Sequence, residues 1–159
     1  MAETVLGISP ATKRLGLALI RNGKLTDWDI RSFPGKWSQE KLDSIVRFLS
    51  RYITTNDVTA IAVKIPDELP VWTNYIQLVG TINMLFERKG IKPMYYTLSE
   101  LKKHHCPKED ANKERLAACI AGKYPNLFFE HEKERANRNS YYGQMFEAVA
   151  AARMYFETV

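Results

Sequence analysis

Cysteine is scarce: two residues, Cys106 and Cys119, in a chain of 159. One pair is no disulfide framework, so the expectation is a reducing compartment, the cytoplasm. Cys119 falls on an apolar helix stripe, where the expected state is a packed thiol. His104-His105-Cys106 taken with Cys119 fits no common zinc spacing, so no metal is expected there. No run approaches the ~20 apolar residues of a membrane helix, which argues against a membrane partner. Met1-Ala2-Glu3-Thr4 carries neither a basic region nor an apolar core, so no secretory leader is expected. Internal repeats and low-complexity linkers are missing too. No block of one charge sign exists: Lys and Arg are scattered, although the net charge is +5 and the pI about 9.2. That balance is compatible with an anionic partner such as nucleic acid.

What remains is ordinary globular composition, 45% hydrophobic and 26% charged. The length suits a single domain spanning 1–159, burying roughly 70% of its unfolded surface without a staple.

The first strand is expected over 4–9, where Val5 to Ile8 is apolar and Pro10 stops the ladder. Ser9 ends it, at a point from which a side chain can face a cleft. Lys13 and Arg14 sit at the following turn. Leu15-Gly16-Leu17-Ala18-Leu19-Ile20 is too uniformly apolar for a half-exposed strand, so 14–21 is expected to be buried on both faces. Asn22-Gly23 is a hairpin signal, placing a third strand at 24–33. Ser38 caps a helix over 39–53, marked by Leu42, Ile45, Val46, Leu49 and Ile53. A fourth strand follows at 58–65, and an acid- and proline-rich loop at 66–70. A second helix over 73–88 carries Ile76, Val79, Gly80, Asn83 and Phe86 near one face, with Leu78, Ile82 and Leu85 beside them. Its apolar breadth agrees with a subunit interface. A fifth strand is expected at 92–96. Thr97-Leu98-Ser99-Glu100 has capping-box spacing and opens a short helix to 104. Further helices are expected at 109–123 and 140–157, with a loop at 124–139 between them. This order fits an α/β fold with a central mixed sheet and helices on both faces.

Gly7-Ile8-Ser9-Pro10-Ala11, with Gly16 in the next strand, resembles the opening of the RuvC-type Holliday-junction resolvases. These belong to the ribonuclease H-like superfamily, and their pattern is Gly-Ile-Asp-Pro-Gly followed by a Gly-containing strand. The resemblance implies a ribonuclease H-like α/β fold: a central mixed sheet of five strands, the first three antiparallel, with helices on both faces. It also implies DNA as partner and a homodimer joined through the second helix. The family's site places three or four carboxylates around two divalent metals roughly 4 Å apart.

Matched one by one, those carboxylate positions are mostly substituted here. The first aspartate falls on Ser9. The glutamate of the fourth strand falls on Lys64. The last helix reads Gln144-Met145-Phe146-Glu147-Ala148-Val149-Ala150 where the family has Asp-x-x-Asp-Ala-Leu-Ala, giving Gln144 and Glu147. One of four positions stays acidic, and Lys64 puts an ammonium where a metal would sit. The cluster Ser9, Lys64, Gln144 and Glu147 is therefore expected to form a self-satisfied ion pair with hydrogen-bond partners. No metal or cofactor is expected. Mg²⁺ enters only if the carboxylates have relocated, to Asp67, Glu68 and Glu147.

The family's basic residues are better kept. Lys102 (or Lys103) and Lys113, within Ala111-Asn112-Lys113, match lysines that lie near the scissile phosphate in the family. The plainer reading makes them solvated helix residues. Asp67 falls where the family has a base-contacting aromatic, and Trp72 is the candidate substitute as a stacking platform. The plainer reading puts Trp72 in the core or at an interface. The expected function is a RuvC-like protein that binds branched or structured DNA and lacks the metal-dependent endonuclease site. The alternatives are an active junction endonuclease with relocated carboxylates, and a scaffold protein that uses this fold without nucleic acid.

Overall fold

Two uniformly apolar strands sit at the middle of the sheet, as a segment buried on both faces must. In the computed structural model these are β1 (Thr4–Pro10), every residue of it buried, and β2 (Arg14–Arg21), buried from Leu15 to Ile20. The structure describes residues 3–68, 70–71, 73–106, 113–127, 129–132 and 142–159. Asn22 and Gly23 turn the chain with positive φ angles of 52° and 83°. This left-handed pair matches the twist of the antiparallel strands it joins. β3 (Lys24–Ser32) returns along β2 as an edge strand. α1 (Gln39–Thr55) follows, and the Ser38 side chain accepts from the Lys41 N–H as its N-cap.

β4 (Ala60–Ile65) pairs parallel to β1, and β5 (Met94–Thr97) parallel to β4. The sheet order is β3-β2-β1-β4-β5. α2 (Thr73–Arg88) crosses between β4 and β5. α3 (Leu98–His105), α4 (Lys113–Lys123) and α5 (Gly143–Thr158) complete the chain. The expected five-stranded mixed sheet with three leading antiparallel strands is thus observed.

The two faces of the sheet differ in side-chain size. Leu6, Ile8, Leu15, Leu17, Ile61 and Val63 point to one face and pack on Leu42, Ile45, Leu49, Leu78, Ile82 and Phe86 of α1 and α2. Val5, Ala18, Ala60 and Ala62 point to the other face, against Ala148, Val149, Ala151 and Ala152 of α5. Small residues on both sides let α5 approach the sheet backbone. A Cβ on Gly7 would collide with the Ala148 carbonyl, and one on Gly16 with the Gln144 carbonyl. These two glycines are required by the close approach.

Several expectations need correction. β4 begins at Ala60 rather than 58, because Asp57 turns with φ 52° and the Val58 N–H still bonds the Ile53 carbonyl at 3.1 Å. β5 begins at Met94 rather than 92. The stretch expected as loop holds a 3₁₀ turn at Pro125–Leu127 and helical residues at 129–132. On α2 the buried residues are Tyr75, Leu78, Ile82, Leu85 and Phe86, whereas Ile76 and Met84 are exposed. Cys106 and Cys119 are not free thiols but a disulfide, their Cα atoms 6.3 Å apart. Both α3 and α4 pack on α5, and this shared support brings the two cysteines together.

Candidate functional site

β1 and β4 run parallel, so both end at one edge of the sheet, and β5 ends there too. β2 runs the other way on the far side of β1. A strand order that reverses direction beside a central strand leaves a crevice beyond the carboxyl ends of the parallel strands, where ligands bind in open α/β sheets. Ser9, Lys64 and the N-terminal turns of α5 meet at this edge.

Strand alternation decides which side chains converge. Ser9 follows Val5 and Gly7 on the α5 face, and its Cα is paired with that of Gly16, over which the Gln144 carbonyl lies. Lys64 follows Ala60 and Ala62 on the same face. Glu147 is one turn beyond the start of α5. The Lys64 ammonium meets the Glu147 carboxylate at 3.1 Å, with side chains 14% and 4% exposed. The expected ion pair between these two residues is therefore present.

The rest of the cluster is not self-satisfied. Ser9 is 1% exposed, and among the described residues its Oγ has no hydrogen-bond partner. Oε2 of Glu147 is likewise buried without one. An unpaired buried polar group costs about 1–3 kcal/mol, so this edge carries a polar cost that the fold itself does not repay. Gln144 lies half-buried at the first turn of α5 and contributes its backbone carbonyl to the contact with Gly16.

Tyr75 of α2 is the neighbour that sequence reading missed. It is buried, and its hydroxyl is pushed up to about 12 by burial and then by the charge of Glu147. The signal was available: Tyr75 sits three residues before Leu78 on the buried stripe of α2, where a hydroxyl is out of place.

The donor set does not fit a pair of divalent metals. Among the described residues one carboxylate stands at this edge, and its nearest partner is an ammonium. A divalent cation about 4 Å from that ammonium would meet a repulsion of about 8 kcal/mol at an effective dielectric constant of about 20. Mg²⁺ needs several carboxylate and water oxygens in octahedral array. The relocation alternative fares no better. Oδ1 of Asp67 accepts from the Ser99 N–H at 2.9 Å, and this bond is the main reason its carboxyl lies below the ordinary range. Asp67 thus serves the first turn of α3. Among the described residues, Asp67, Glu68 and Glu147 form no group close enough to share an ion.

The group that is close enough is His104, His105 and Glu157, within 4.8 Å. Its atoms are already engaged. His104 Nε2 meets Glu157 Oε1 at 3.1 Å, and Arg153 Nε donates to the same oxygen at 3.2 Å. His105 Nε2 lies 2.8 Å from the Ala150 carbonyl, and Lys123 Nζ lies 3.0 Å from His105 Nδ1. With two cationic side chains in the network, it reads as a lock between α3, α4 and α5.

The basic residues distribute along the same edge of the sheet. Lys13 is exposed and Arg14 half-exposed at the β1–β2 turn. Lys102 is half-exposed and Lys103 exposed on α3, and the charge of Lys102 is felt by Asp67 in the loop after β4. Lys113 opens α4, but its side chain lies outside the described residues. Trp72 lies outside them altogether.

No protein-family model matches the chain, and no curated protein matches it. Solved structures do. A Thermus thermophilus RuvC in complex with a Holliday junction substrate superimposes with a TM-score of 0.67 at 18% identity, covering 94% of this chain and 90% of that one. The yeast mitochondrial Holliday junction resolvase gives 0.61 at 9% identity, covering 94% and 76%. A fowlpox virus resolvase in complex with Holliday junction DNA gives 0.59 at 10% identity, covering 98% and 97%. At these identities the likeness is one of fold: the chain has the ribonuclease H-like architecture of RuvC and related resolvases.

Proposed function

We propose that this chain binds branched or structured DNA along the carboxyl edge of its sheet and does not cut it by two-metal chemistry. The observation that carries the reading is the Lys64–Glu147 ion pair at 3.1 Å, a closed charge pair at the point where β4 ends. Support for the DNA partner comes from the basic residues on both sides of that pair, Lys13 and Arg14 on one and Lys102 and Lys103 on the other. It comes also from neighbours of the same fold, two of which are structures in complex with Holliday junctions. We place the function in a homodimer. Its support is Ile76 and Met84, 52% and 59% exposed and eight residues apart on the outer face of α2.

The test is a mobility-shift titration of a four-way junction and a duplex of equal length, in EDTA and in Mg²⁺. Binding in EDTA that weakens with salt is the expected result, because phosphate contacts release counterions. No strand should be cut in Mg²⁺ or Mn²⁺. Failure to shift either DNA at low salt would favour the scaffold alternative. Metal-dependent nicking lost in Glu147→Gln would restore the nuclease alternative. Sedimentation equilibrium reads the dimer, and a monomer throughout the micromolar range would remove it.

A further inference from the structure

Beside the Ser9–Lys64–Glu147 edge lies an open cleft of about 460 Å³, lined by Lys13, Arg14, Ser32, Phe33, Pro34 and Gly35. It separates the β1–β2 turn from the loop that joins β3 to α1. Its walls are tied together. The Phe33 N–H donates to the Lys13 carbonyl at 2.9 Å, and the Ala11 N–H to the Arg14 carbonyl at 3.0 Å. Phe33 packs edge-on against Phe48 of α1, with ring centroids 6.0 Å apart. Trp37 donates to Gln77 of α2 at 2.9 Å. The cleft is therefore part of the framework.

Its charge is one-sided. Lys41 of α1, only 8% exposed, reaches the wall of the cleft, where its Nζ donates to the Gly35 carbonyl at 3.1 Å. Lys13 stands near enough for its charge to be felt there: burial first, and then Lys13, lower the Lys41 ammonium from its ordinary value. No carboxylate lines the cleft among the described residues. A largely buried lysine facing a second cation, with no carboxylate lining the cleft among the described residues, is a costly arrangement. Lys41 also sits on the apolar stripe of α1, next to Leu42 and four residues before Ile45, where a solvated lysine has no reason to be. An anion in the cleft relieves both charges, and the Ser32 hydroxyl offers a further donor on its rim.

We infer that this cleft is a binding site for a phosphate group of a nucleic-acid backbone, held between Lys13 and Lys41. The inference rests on the DNA-binding reading above and extends it. The cleft opens at the same edge as the Lys64–Glu147 pair, since Arg14 at the start of β2 is paired with Ser32 at the end of β3. A strand crossing the sheet edge passes both. Recognition here is of charge and not of base, so it is independent of sequence.

Two arms test it. Inorganic phosphate titrated into the ¹⁵N-labelled protein should shift the amides of Lys13, Ser32, Gly35 and Lys41, and Lys13→Ala and Lys41→Met should each remove the response. In the second arm, binding of junction and of duplex is measured against salt. Each variant should reduce the slope of log K against log[salt] by about 1, equally on both DNAs, as expected for one lost phosphate contact. Lys41→Met keeps the apolar stem, and Lys13→Ala changes an exposed residue, so the test stands even if the first fails to fold. DNA binding with an unchanged slope in Lys13→Ala overturns the inference, whatever phosphate alone does. Absence of wild-type DNA binding fails the reading of function instead, and is recognised before any variant is made.

Discussion

Lys64→Met isolates the ion pair on which the functional reading turns. The substitution keeps most of the stem volume and deletes the ammonium. It leaves Glu147, 4% exposed, with Oε1 stripped of its partner at 3.1 Å and Oε2 already without one among the described residues. Removing one member of a buried pair costs about 3–5 kcal/mol, because the other charge stays behind uncompensated. The Lys64 side chain is 14% exposed, so water can reach the gap, and the lower end applies: about 3 kcal/mol. For a chain of this size that is a fall in Tm of about 6–12 °C. Urea unfolding followed by circular dichroism at pH 7 measures it. Glu147→Gln should cost less than Lys64→Met, because the ammonium it orphans lies nearer to water. The double change Lys64→Met with Glu147→Leu should return to within about 1 kcal/mol of the parent, as apolar replacement of whole buried pairs does. If Lys64→Met alone is neutral, or the double variant is no better than the single one, the pair is not buried as described and the argument against metal at this edge falls with it.

Two further outcomes follow from the packing of α5. Gly16→Ala should destabilise by at least about 3 kcal/mol, or abolish soluble expression, because its Cβ would meet the backbone of Gln144 and Met145 rather than a side chain able to move; a chemical-denaturation midpoint near that of the parent would refute the close approach. His105 is held down to about 4, by burial first, although the Ala150 carbonyl opposes this. Its unfolded value is near 6.5, so the unfolded state binds the extra proton between these two values. Stability should fall as the pH drops from about 6.5 to about 4, by up to about 3 kcal/mol, and His105→Gln should flatten that part of the stability-pH curve; an equal acid slope in both proteins would place the titrating group elsewhere.

Short-range patterns in the chain determined most of the elements. The uniformly apolar run 15–20 meant a central strand, Asn22-Gly23 meant a hairpin, and Thr97 with Glu100 formed the capping box that their spacing announced. The glycines and the alanine-rich last helix carried the close approach of α5, and the substituted positions Ser9, Lys64, Gln144 and Glu147 were readable one by one. These features are local: a period of 2 or 3.6 and the turn chemistry act within a few residues. Tertiary structure alone decided the contacts between elements distant in sequence. Lys64 and Glu147 meet because the depth of α5 on the sheet is set by Gly7 and Gly16. Ser9 Oγ finds no partner among the described residues there. Cys106 and Cys119 are bonded because α3 and α4 share α5 as a support, a distance that no spacing along the chain encodes. Lys41 carried no signal of its own in the sequence; the β3–α1 loop folds back to it, and the Gly35 carbonyl accepts from its ammonium at 3.1 Å. Periodicity says which face of an element is apolar. Which polar atoms face one another across two such elements depends on the register and depth of packing, and these exist only once the chain has folded.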